Sequence, residues 1–176
     1  MVSLVRRLFG GADLSPDRRR DVIRYVQAEW TLRAVQDDEA GRYNEVLTVH
    51  GTMLAPGNES ARIVADAAKK MSEVNQSLVQ RHSELGPVPD EAGQCYFLWH
   101  GVYLALAEWS SAAAAAYEAM TTGGTPSVGR VEHLLSNEER ARKQAESAEA
   151  KLLKSIRMTA EEARTLMRQA EGRGRP

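Results

Sequence analysis

The sequence predicts an all-α protein: an up-and-down bundle of about four long helices, the first and last bent or broken. Three observations carry this. Apolar residues recur at spacings of three and four over long stretches, which is the period of one helical face. Pro and Gly cluster at only a few places and leave long segments between them. No segment alternates apolar and polar residues with the period of a strand. The connections are short, so successive helices are expected as antiparallel neighbours. No internal repeat of solenoid length is present.

The first helix is expected over 16–54. Ser15 can accept a hydrogen bond from a free N–H of the first turn, and Pro16 loses nothing there because it has no N–H to satisfy. Val22, Ile23, Val26 and Trp30 begin its apolar stripe, and Tyr43, Val46, Leu47, His50, Met53 and Leu54 continue it. The polar stretch Asp37-Asp38-Glu39-Ala40-Gly41 is a candidate bend. The turn Ala55-Pro56-Gly57-Asn58 leads into a second helix over 59–85, with the stripe Ile63, Ala67, Met71, Val74, Leu78, His82 and Leu85. Gly86-Pro87-Val88-Pro89 ends it, since proline disfavours helical geometry in the residue before it.

Asp90 is the expected cap of the third helix, over 91–121. From Cys95 to Ala107 this helix is apolar all round, which predicts a central position. Tyr96, Phe97, Trp99, Tyr103, Trp109 and Tyr117 concentrate aromatic area here, and Gly101 with Ala105 leaves a low spot where another backbone can approach. After Thr121-Thr122-Gly123-Gly124, Thr125-Pro126 repeats the cap-then-proline signal of a fourth helix over 127–171. Ser136 with Glu139, and Thr159 with Glu162, have capping-box spacing, so a break near 158 is expected. The stripe of this helix is mostly alanine, with Leu152, Ile156 and Leu166 as its larger members.

Of the 176 residues, 43% are hydrophobic and 27% charged, with a net charge of -1. That composition excludes a disordered chain, a collagen-like chain and a disulfide scaffold. The length suits one domain, expected over 15–171, between an N-terminal segment (1–14) and a frayed tail (172–176). Cys95 is the one cysteine, so no intrachain disulfide is possible. Arg6 and Arg7 interrupt the apolar residues at the start, which argues against a signal peptide and for a cytoplasmic protein. The apolar run of the third helix is shorter than the roughly 20 residues of a membrane span, so a membrane protein is not expected.

Charge is uneven: residues 1–20 carry +3, 21–129 carry -7 and 130–176 carry +3. Arg18-Arg19-Arg20 and the tail arginines Arg173 and Arg175 lack interleaved aromatic residues, so nucleic acid is not an expected partner. Val2, Val5, Leu8 and Phe9 share one side of the N-terminal segment, which is expected to be a disordered start lying back over the bundle, with docking on a partner or anchoring on an acidic membrane as the alternatives.

No catalytic or metal-binding motif is present. Glu-x-x-His, His-Glu-x-x-His, Cys-x-x-Cys, the phosphate-binding Gly-rich loop and Gly-x-Ser-x-Gly are all missing. His100, inside the apolar run, is the most conspicuous polar residue, and His50, His82 and His100 would converge only if their stripes faced one another. No catalytic residue, metal ligand or cofactor is therefore expected. The leading expectation is a non-enzymatic protein that acts by binding a protein partner or copies of itself, in the manner of a coiled coil. The expected contact residues are Leu152, Ile156 and Leu166 on the last helix. The alternative is a bundle that holds a small ligand or cofactor in an aromatic pocket of Tyr96, Trp99, His100, Tyr103 and Trp109.

Overall fold

The computed structural model describes residues 14–174. The apolar side expected at Val2, Val5, Leu8 and Phe9, and with it the reading of the N-terminal segment, lies outside the described residues. All regular structure among them is helical, with five α-helices and two short 3-10 turns. α1 spans Pro16–His50, α2 Glu59–Ser83, α3 Gly93–Thr121, α4 Val128–Ser155 and α5 Ala160–Gly174. α1 packs against α2 and α5, α2 against α3, and α3 against α4. No described helix is long and apolar enough to cross a membrane.

Local chemistry sets most boundaries. The Ser15 hydroxyl accepts from the Arg18 N–H at 3.3 Å, and the Asn58 side chain accepts from the Ala61 N–H at 2.8 Å. At the end of α3 the chain turns through Gly123, whose φ of 77° suits glycine. The Gly124 N–H then donates to the Ala119 carbonyl at 2.8 Å and the Gly123 N–H to the Met120 carbonyl at 3.2 Å. These two bonds satisfy carbonyls that the helix end leaves free.

Several expected boundaries move. α1 passes through Asp37–Gly41 as continuous helix and ends at His50, with Gly51–Met53 as a 3-10 turn. Asp90 begins a 3-10 turn instead of capping α3 directly. α4 starts at Val128, after Ser127, and not at the Thr125-Pro126 signal. Ser136 lies inside α4, where its hydroxyl donates to the Glu132 carbonyl at 3.1 Å and caps nothing. The second capping box does form. The Thr159 N–H donates to Glu162 at 2.8 Å, and the Glu162 N–H donates to the Thr159 hydroxyl at 3.1 Å. Arg157, with φ of 52°, reverses the chain just before it, so α5 separates from α4 and lies on α1.

All five helices feed one core, from Val22 and Trp30 through Leu78, Trp99, Val102, Leu106 and Leu152 to Ala170. A smaller cluster of Tyr43, Ala68 and Met71, flanked by Trp109 and Tyr117, joins α1, α2 and α3. α3 is less enclosed than its composition suggests. It buries Cys95, Trp99, Val102, Tyr103, Leu106, Ser110 and Ala113. Phe97 and Leu104 stay 74% and 45% exposed. α2 and α4 cover two sides of α3, and among the described residues nothing covers the third.

Thr159→Ala should lower the stability of the fold by about 1 kcal/mol, read as a lower urea midpoint at unchanged slope. Ser136→Ala should leave that midpoint within about 0.5 kcal/mol of the parent, because the residue is interior to its helix.

Candidate functional site

Two features on α3 stand out: a chain of polar groups running into the core from its inner side, and the open apolar stripe on its outer side. The polar chain starts on α1. Its buried stripe includes Val22, Tyr25, Val26, Trp30 and Leu32, and Glu29 occupies a position on that stripe, 1% exposed. A carboxylate there must find partners or pay a heavy desolvation cost. Tyr103 of α3 donates its hydroxyl to Glu29 Oε1 at 2.8 Å. His82 of α2, fully buried, brings Nε2 to 3.0 Å from Glu29 Oε2, an approach without the alignment of a hydrogen bond. His82 Nδ1 lies 3.2 Å from His100 Nδ1, and His100 reaches the half-buried edge of α3. The His82 ring stacks on Tyr96 at 4.5 Å and leans on Tyr103 at 5.1 Å.

A second carboxylate closes the opposite side. Glu149 of α4 accepts from Trp30 Nε1 at 3.1 Å and from Trp99 Nε1 at 3.0 Å. It also pairs with the Arg33 guanidinium, which lies 4.2 Å over the Trp99 ring. Such a contact adds cation–π attraction to the ion pair.

Burial governs the titration of the groups around these carboxylates. It raises the Tyr103 hydroxyl well above its usual value, reinforced by the charge of Glu29. Tyr25 is raised for the same two reasons, in the same order. Burial, then the charges of Glu149 and Glu29, pushes the Cys95 thiol up to about 12. A thiol held that high stays protonated near neutrality and is no nucleophile. His100 is lowered, first by burial and then by His82.

The residues expected to form an aromatic pocket are divided among these features. Tyr96, His100 and Tyr103 gather around His82. Trp99 joins the Glu149 side, and its ring lies 6.4 Å from Tyr103. Trp109 belongs to the smaller cluster, edge-on to Tyr43 at 6.5 Å. Trp99 and Tyr103 are each 1% exposed, so their rings fill the space between the helices. His82 and His100 meet, while His50 pairs with the Ser60 hydroxyl at 3.3 Å at the other end of α2. Among the described residues no group of three or more His, Cys, Asp or Glu is placed to hold a metal.

The expected partner residues of the last helix are placed differently again. Leu152 and Ile156 are buried in the main core, and Leu166 packs against it. Within the chain, then, Leu152 and Ile156 serve the core and Leu166 is partly covered by it. Glu29 and Glu149 were not singled out by sequence reasoning. Their signal is positional: Glu149 completes the buried series Ala145, Glu149, Leu152, and Glu29 does the same between Val26 and Trp30.

Glu149→Gln removes the charge that balances Arg33 and should cost about 3 kcal/mol, read by urea unfolding together with tryptophan fluorescence. Because folding lowers the His100 pKa from its ordinary 6.5, the folded state holds that proton less tightly than the unfolded chain. This contribution to stability is therefore complete above about pH 6.5 and shrinks as pH falls through and below it. His100→Gln should flatten that part of the profile when thermal midpoints are followed from about pH 7.5 to 5.5.

No family model matches this chain, and no match was found among curated proteins or solved structures.

Proposed function

We propose that this chain folds as an up-and-down helical bundle and acts, without catalysis, as an interaction module that binds a protein through the open face of α3. The observation that carries this reading is Phe97, 74% exposed on a helix whose other sides are packed. Leaving such a ring in water forgoes about 2 kcal/mol of burial. Leu104 follows two turns later on the same face, with Gly101 between them. Single exposed apolar residues are ordinary, but an aligned pair on one open stripe is the pattern of a contact surface. The interior supports the same reading. Its carboxylates face indole, phenol, imidazole and guanidinium groups of the chain itself, and that arrangement fixes helices in place.

The double variant Phe97→Asp/Leu104→Asp should keep its helix content and its stability within about 0.5 kcal/mol, since both positions are open. The tagged parent chain, expressed in its host, should retain a bound protein that the variant loses. Equal recovery by both, or recovery by neither, would remove the reading.

A further inference from the structure

We infer that the protein covering the open face of α3 is a second copy of this chain, crossing the first antiparallel near Gly101. The inference rests on the interaction reading above and names its partner. A two-fold contact requires a surface that complements itself. Along α3, Phe97 and Leu104 lie almost equally far on either side of Gly101. An antiparallel crossing there sets each Phe97 against Leu104 of the other copy. Gly101 has open space where a Cβ would stand, so the two backbones can approach closely at the centre while the larger side chains interlock around them.

Charge supplies an independent argument. Glu108 continues the open stripe one turn beyond Leu104 and is exposed. The same register carries it to Gly93 of the other copy, next to Gln94. Gln94 and Leu98 line a groove of about 470 Å³ between α3 and α4, together with Arg140, Lys143 and Lys151, and no acidic side chain among the described residues lines it. Among the described residues none of Glu108, Arg140, Lys143 and Lys151 forms an ion pair within the chain. The crossing thus brings an unpaired carboxylate to an unpaired basic groove twice, once at each end of the contact. It also agrees with the uneven charge of the chain, in which an acidic middle precedes a basic C-terminal part.

Sedimentation equilibrium on the full chain is the test. The parent should reach twice 19.4 kDa with rising concentration. Phe97→Asp should weaken the dimer by about tenfold or more. Glu108→Lys should weaken it by about threefold, and combining that change with Lys143→Glu and Lys151→Glu should restore it. Gly101→Cys should form an intermolecular disulfide under mild oxidation, because only backbones a few ångströms apart can be bridged, while Glu59→Cys at the distant, N-terminal end of α2 should not. A chain that stays monomeric overturns the inference, as does a dimer that is indifferent to Phe97→Asp and unlinked by Gly101→Cys. A monomer that still binds a different protein through Phe97 overturns the dimer and leaves the interaction reading standing. A monomer with no Phe97-dependent partner overturns both.

Discussion

The Glu149 carboxylate is the constraint on which the arrangement of helices depends. Trp30 and Arg33 reach it from α1 and Trp99 from α3, while the carboxylate itself stands on α4. Hydrophobic burial has no direction, and a helix faced largely with alanine has little to fix its rotation or its height against a neighbour. Hydrogen bonds do have direction. Three donors converging on two oxygens leave α4 only one position along α1 and α3. The cost of error is also steep, since a buried charge that lost its partners would forfeit more than any single packing contact in the core.

The same logic sorts the aromatic residues of α3. Trp99 and Tyr103 carry a polar atom, and both point inward to a carboxylate. Phe97 carries none and points outward. An all-apolar helix would leave its rotation open, because every side would be equally content in a core. Here the indole N–H and the phenol hydroxyl choose the inner side. Phe97, Gly101 and Leu104 become the outer side as a geometrical consequence.

Helix content, most turns and the aromatic weight of α3 were legible in the sequence because they follow from short-range rules. Ser15, Asn58 and the box at Thr159 acted as their spacing implied. Ser136 has the same spacing yet caps nothing, since no competing turn interrupts the helix around it. The site was less legible. Apolar periodicity counts Glu29 and Glu149 as solvent-facing, although each stands on a buried stripe. Only knowing that Tyr103, His82, Trp30 and Trp99 come from other helices makes those positions tolerable. His100 was conspicuous in the sequence, but its link to His82 depends on how α2 and α3 align. The distinction between the covered and open sides of α3 is likewise a property of the assembly.

Cys95 adds a consequence of a different kind. Its thiol is buried and held protonated, so alkylating reagents should find it only during excursions in which the core parts. The chain therefore contains a built-in gauge of its own breathing. The rate at which a small maleimide or iodoacetamide tags the intact protein would report how often α3 lifts from its neighbours, with no label or fluorophore introduced.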